Sequence, residues 1–296
     1  MERKKASDFH PEVLRLFDGY VHGALSRRDF LDRAARFAVG SFTAAAMLEA
    51  LRPNFAWAQQ VPKDDPRIRT ETATYPTTQG SGTVRGYLVK PAKGPAKLPA
   101  VVVIHENRGL NPYIEDVTRR LGVLGFLAFA PDSLSPFGGY PGDEDKAREL
   151  FAKQDRAKMI EDLLNAVPYL KTRSDTSGKI GAVGFCFGGG VVNTMAVRFP
   201  DLAGSVPYYG AQPRAEDVAK IKAPLLVHYA SEDPNINKGI AGFEEALKAN
   251  KVSYEMHTYP NTQHGFHNDT TPRYDEAAAK LSWQRTVDFF NKNVKG

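Results

Sequence analysis

The chain is 296 residues long, 42% hydrophobic and 25% charged, which fits one α/β domain plus a leader. Its net charge of +5 comes from lysines and arginines interspersed with acids, and no basic run carries interleaved aromatics, so nucleic-acid binding has no support. A single cysteine excludes an intrachain disulfide and any site built from several thiolates.

Residues 1–58 differ from the rest. Ser26-Arg27-Arg28-Asp29-Phe30-Leu31 precedes a weakly apolar stretch over 37–48, followed by Pro53 and an A-x-A site at Ala56-Trp57-Ala58. This arrangement resembles a twin-arginine export signal and implies a periplasmic mature protein. The alternative is a helical extension kept on a cytoplasmic chain. The long polar lead, the charges at Arg33 and Arg36, and Glu49 at the far end speak for it. The apolar run is too short to act as a stable membrane anchor.

A catalytic domain is expected over 68–296. Residues 70–75 and 84–89 read as strands of a hairpin around Gly80-Ser81-Gly82. Continuous apolar runs at 100–104 and 126–130 read as parallel strands buried on both faces, with a helix over 112–124 between them. The loop 133–142 is long enough to cover a substrate, and Tyr140 lies in it. Helices are expected over 143–153 and 156–170, then strands at 180–183, 204–209, 224–229 and 253–259. Further helices are expected over 191–199, 236–249 and 274–293. Strands alternating with helices predict an α/β fold, a mostly parallel sheet with helices on both faces and an antiparallel entry hairpin. Sites in such sheets lie beyond the carboxyl ends of the strands.

Gly184-Phe185-Cys186-Phe187-Gly188 is a G-x-nucleophile-x-G elbow with cysteine as nucleophile. Flanking glycines let a strand turn into a helix within a few residues, and the helix end favours thiolate over thiol. A cysteine nucleophile needs a histidine base oriented by a carboxylate. His264 follows the last strand and Asp233 the strand before it, so the order is nucleophile, acid, histidine; Glu232 is the alternative acid. His228 and His257 both read as satisfied core histidines within strands. His105 reads as a residue that structures its loop. His264 and His267 form an H-x-x-H pair without a third ligand, so no metal or other cofactor is assigned.

The elbow, the His105-Glu106 strand end, Asp233 and His264-Gly265-Phe266 together resemble the dienelactone hydrolase family, over about residues 69–294. The resemblance implies the α/β-hydrolase fold and hydrolysis of an enol-lactone by a Cys186–His264–Asp233 triad. It implies that Glu106 lies beside the thiol and helps deprotonate it when substrate binds. It also implies an oxyanion hole from the backbone N–H groups of Phe187 and Asn107. Family members hold a substrate carboxylate with arginines, one a few residues past the histidine, where this chain has His267-Asn268. Arg108, Arg148 and Tyr140 remain as substrate-binding candidates.

The expected function is therefore hydrolysis of a small ester or lactone through an acyl-cysteine, with no stable membrane partner. Oligomeric state is not readable from the sequence. The rival expectation is a thiol sensor or small-ligand binder on the same fold, without turnover.

Overall fold

Eight strands form one sheet in the computed structural model, which describes residues 4–296. They are β1 (Ile68–Thr77), β2 (Gly82–Pro91), β3 (Leu98–Ile104), β4 (Leu127–Pro131), β5 (Thr176–Phe185), β6 (Gly204–Tyr208), β7 (Leu225–Glu232) and β8 (Tyr254–Gln263). Their order across the sheet is β1-β2-β4-β3-β5-β6-β7-β8. The hairpin pairs Thr77 with Gly82, β2 meets β4 antiparallel, and every later pair is parallel. The apolar runs of β3 and β4 are covered on both faces, as continuous hydrophobicity without alternation requires.

The helices are α1 (Pro11–Val21), α2 (Arg27–Ala34), α3 (Ala44–Leu51), α4 (Pro112–Val123), α5 (Glu144–Ala152), α6 (Arg156–Leu164), α7 (Ala166–Thr172), α8 (Phe187–Arg198), α9 (Pro234–Asn237), α10 (Ile240–Ala249) and α11 (Glu276–Phe290). One apolar layer joins α4 and α11 to one sheet face through Val101, Val103, Val117, Leu121 and Phe290. A second joins α6, α7 and α8 to the other face through Val102, Ile104, Leu163, Leu170 and Val192. The carboxyl ends of β3, β5, β7 and β8 then present Glu106, Cys186, Asp233 and His264 on one edge of the sheet.

Three boundaries differ from expectation for identifiable reasons. The helix expected over 156–170 breaks at Asn165, because Pro168 cannot donate the backbone bond that would continue α6 through this turn. The helix expected over 236–249 divides into α9 and α10, leaving Lys238 and Gly239 between them. The helix after the nucleophile begins at Phe187 rather than 191, and the three glycines lie inside its first turns. Close approach explains their presence: a Cβ on Gly188 would sit 2.3 Å from the Ile104 carbonyl oxygen, and one on Gly189 2.6 Å from that of Tyr208.

Residues 37–48 do not form one apolar helix. A 3-10 turn over Ala35–Phe37 and a bridge between Val39 and Phe42 come first, and α3 starts only after Thr43, whose side chain caps it. Gly40, at φ +57°, turns the chain between them. Arg27 and Arg28 open α2 behind a Ser26–Asp29 capping box. Helices α1 to α3 close around their own core of Val13, Phe17, Phe30, Met47, Leu48 and Leu51. Ala58 is 1% exposed and belongs to the main core rather than to this one. Among the described residues no helix is long and apolar enough to cross a membrane.

The elbow's steric requirement yields a direct check. A Cβ on Gly184 would lie 2.2 Å from the Gly188 carbonyl oxygen, a backbone atom that cannot rotate away. Gly184→Ala is expected to cost about 3 kcal/mol, the upper range of overpacking penalties. The cost should appear as a lower urea midpoint at unchanged slope.

Candidate active site

Cys186 joins β5 to α8 at φ 55° and ψ −116°, a conformation that non-glycine residues avoid. Its N–H donates to the Tyr208 carbonyl at 3.1 Å, and its own carbonyl accepts from Gly189 at 3.0 Å. Backbone bonding on both sides therefore holds the strained residue in place. The side chain is buried and lies at the amino end of α8.

His264 follows β8, and its Nδ1 meets Asp233 Oδ2 at 2.5 Å. Asp233 caps α9, accepting from the Ile236 N–H at 3.4 Å, which fixes its carboxylate. Glu232 is exposed and receives only the Ser231 hydroxyl, so Asp233 is the acid that meets the histidine. With Nδ1 engaged by Asp233, Nε2 is the His264 nitrogen left to interact with Cys186, within 4.8 Å of Sγ.

The thiol's direct hydrogen bond goes elsewhere. Cys186 Sγ lies 3.5 Å from Nε2 of His22, the residue that ends α1. On its other side, His22 Nδ1 bonds to the Asp18 carbonyl at 2.9 Å and lies 3.3 Å from the Asp18 carboxylate. The two imidazoles meet edge to face with centroids 4.9 Å apart. Sγ and one ring nitrogen from each histidine all lie within 4.8 Å of one another. A soft divalent ion could bridge those atoms, but it would occupy the nucleophile, and we assign no metal there.

Burial pushes the Cys186 thiol pKa up, but the charges and hydrogen bonds of His264 and His22 outweigh it and bring it from 9.0 to about 5. Burial likewise opposes the imidazolium of His264, yet Cys186 and Asp233 raise it to about 9. Burial also disfavours the His22 imidazolium, and Asp18 and Cys186 overcome it and raise the pKa. Asp18 is disfavoured by burial too, but His22, Arg273 and His264 hold its carboxyl well below the usual carboxylate range.

Glu106 follows β3 and accepts a 2.8 Å hydrogen bond from Asn268 Nδ2 rather than one from the thiol. Burial and the Cys186 thiolate raise its pKa to about 7, against the opposing pull of Arg273, His264 and Asn268. The like-charge repulsion between the two groups thus falls on Glu106, while two imidazoles hold the thiol low. His105 structures the loop: its Nδ1 meets the Glu106 carbonyl at 2.5 Å and its Nε2 accepts from the Ser133 N–H at 3.1 Å.

A cavity of about 590 Å³ opens over the thiol, lined by His22, Asn107, Arg108, Arg148, Phe187 and His264 among others. Phe187 is the first residue of α8, where an N–H has no acceptor within the helix. Arg108 is committed to structure, donating to the Asn107 and Val21 carbonyls and lying 3.6 Å from Glu144. Arg148 stacks over Tyr20 at 4.6 Å, and its Nε has no partner. Tyr140 is not among the cavity-lining residues; its hydroxyl donates to Glu144 at 2.8 Å.

Of the remaining histidines, His228 and His267 are buried in the core, while His257 is half-buried on β8 and His10 is exposed. His228 bonds to Tyr259 and Thr286. His267 meets the Tyr113 hydroxyl at 2.7 Å and stacks on Phe185, so the H-x-x-H pair does not converge. Sequence reasoning missed His22, Asp18 and Arg273. His22 and Asp18 share one face of α1 at i, i+4 spacing, a signal that was readable. Nothing in the spacing marks Arg273.

A family model described as the dienelactone hydrolase family matches residues 84–294, and one described as YqhI-like matches residues 1–38. An Escherichia coli K12 protein named as a hydrolase fragment, YghX, is 62% identical over 108 residues, which cover 36% of this chain and 92% of that protein. A Saccharolobus solfataricus protein named as a carboxymethylenebutenolidase is 31% identical, over 72% of this chain and 95% of its own. A solved Klebsiella pneumoniae protein named as a dienelactone hydrolase superposes with a TM-score of 0.66 at 26% identity, covering 76% of this chain and 99% of its own.

The low thiol pKa gives a measurable profile. Only the thiolate is alkylated, so the rate of Cys186 reaction with iodoacetamide is expected to stay high from pH 9 downward. It should fall only as pH drops through about 5. An inflection above pH 8 would remove the ion pair between thiolate and imidazolium.

Proposed function

The chain belongs to the dienelactone hydrolase family, and we propose that it cleaves its ester or lactone by attack of the Cys186 thiolate, with His264 and Asp233 as base and orienting acid. The observation that supports this best is the 2.5 Å contact of Asp233 with His264 Nδ1, which leaves Nε2 aimed at a thiol held at an elbow.

In the first half-reaction the thiolate adds to the carbonyl carbon, and the resulting oxyanion is met by the N–H groups of Phe187 and Asn107. As the intermediate collapses, the bond to the leaving oxygen breaks, and the His264 imidazolium gives that oxygen its proton. Neutral His264 then takes a proton from water, and hydroxide adds to the thioester carbonyl. The C–S bond breaks, its electrons return to sulfur as thiolate, and the free acid leaves. His264 ends protonated, as it began.

Glu106, near half-protonation at neutral pH, tunes this cluster and does not generate the nucleophile by itself. For the substrate, the guanidinium of Arg148 at the cavity wall favours an ester or lactone carrying a carboxylate, with Arg108 as a fixed wall and Tyr140 acting through Glu144.

Cys186→Ala is expected to abolish hydrolysis of p-nitrophenyl acetate, and His264→Ala to lower it at least a thousandfold, since members of one catalytic unit fail together. Mass spectrometry of quenched wild-type protein should find the acetyl group on Cys186. Near-normal turnover by Cys186→Ala would sink the nucleophile assignment. A burst of p-nitrophenol without steady turnover would favour the thiol-sensor reading.

Of the two fates for residues 1–58, we propose retention rather than export with cleavage. The packing of α1 to α3 around a core of their own and the burial of Ala58 in the main core support it. N-terminal sequencing of protein from the native host is expected to find these residues present. A start near Gln59 would establish cleavage instead.

A further inference from the structure

Two imidazoles converge on one thiol, and the triad uses only one of them. We propose that His22, delivered by the N-terminal helices and oriented by Asp18, is a second catalytic residue acting on Cys186, so that residues 4–58 complete the active site. This inference rests on the thiol reading above.

The position of His22 is built by several independent contacts. Asn107 Nδ2 and Arg108 Nη2 both donate to the Val21 carbonyl, at 2.9 and 3.3 Å, and so hold the carboxyl end of α1 against the loop after β3. Arg273 Nη1 lies 3.4 Å from the Asp18 carboxylate. The Tyr20 hydroxyl donates to Asp145, which also pairs with Arg52 after α3. Asn54 N–H donates to the Thr270 carbonyl at 2.8 Å, which ties the segment to the loop carrying His264. These bonds reach the N-terminal segment from α5, the β3 loop and the β8 loop, and together they set Nε2 of His22 at 3.5 Å from Sγ.

The chemistry gives a second imidazole work to do. During the cycle His264 surrenders its proton to the leaving oxygen and recovers one from water. His22 keeps its proton throughout, because Asp18 stands behind it and its N–H faces sulfur. When the second tetrahedral intermediate collapses, the electron pair of the C–S bond passes to sulfur, and the His22 imidazolium is the donor that meets the departing thiolate. No atom or electron is transferred to His22. It lowers the cost of releasing sulfur, so its effect falls on deacylation. The charged and titratable groups around it are Asp18 on its own helix, Cys186 and His264 opposite, and Glu106, Arg108 and Arg273 behind them.

The test uses the full chain. His22 ends a helix and its side chain is 34% exposed, so His22→Gln keeps the fold. The midpoint of iodoacetamide alkylation is expected to rise by about one to two pH units, the usual effect of a charge partner at this distance. Steady turnover of p-nitrophenyl acetate should fall about tenfold or more while the burst survives, because acyl-enzyme accumulates. Asp18→Asn should move both readouts in the same direction by less. An unmoved alkylation midpoint in both variants overturns the contact. A moved midpoint with unchanged turnover overturns the catalytic role, and a gain in turnover would mean that His22 only blocks the site. If Cys186→Ala still hydrolyses the ester, the nucleophile reading fails separately, and the alkylation midpoint still reports whether His22 meets the thiol.

Discussion

The positive φ of Cys186 is the constraint on which the site depends. β5 must become α8 within one residue, so the Gly184 and Gly188 backbones are pressed together with no room for a Cβ on either. What this achieves is placement: the thiol stands clear of the sheet at the end where the loops after β3, β7 and β8 converge. The bonds from Cys186 to Tyr208 and from Gly189 to Cys186 keep the residue there. The parallel order β3-β5-β6-β7-β8 then decides which loops can reach it.

Given that placement, electrostatics decide the state of the sulfur, and the magnitudes identify which effect dominates. A pKa lowered from 9.0 to about 5 corresponds to about 5 kcal/mol in favour of thiolate, net of burial. A helix end contributes at most about 2 kcal/mol in a partly buried setting. The sequence argument gave α8 and one histidine this task; it takes two imidazoles, each backed by its own carboxylate. Glu106 is the group that yields to them: burial and the nearby Cys186 thiolate raise its pKa to about 7.

The sheet, the elbow and the residues of the proposed triad were legible because their signals are local. Apolar runs, a glycine-flanked turn and the order Cys186, Asp233, His264 each survive without knowing the fold. His22 was not legible because its role depends on docking between segments more than 160 residues apart. Its segment also carries an arginine pair and an Ala-rich run that resemble an export leader, a stronger local signal than the i, i+4 pair of Asp18 and His22. The error at α6 and α7 has a plainer origin: hydrophobic periodicity continued through Pro168, but the backbone bonding did not.

Tyr140 shows how a residue can matter to a site without lining it. Its hydroxyl binds Glu144, Glu144 faces Arg108, and Arg108 donates to the carbonyl that ends α1. A buried guanidinium needs such partners, since an unpaired charge away from water costs several kcal/mol. Arg108 is thereby spent on holding α1 and the β3 loop together, while Arg148 and Arg156 are the other guanidinium groups at the cavity wall. The same chain of contacts fixes Val21, and hence His22, relative to the thiol. The placement of the second imidazole thus depends on Glu144, so a change there would disturb it through Arg108.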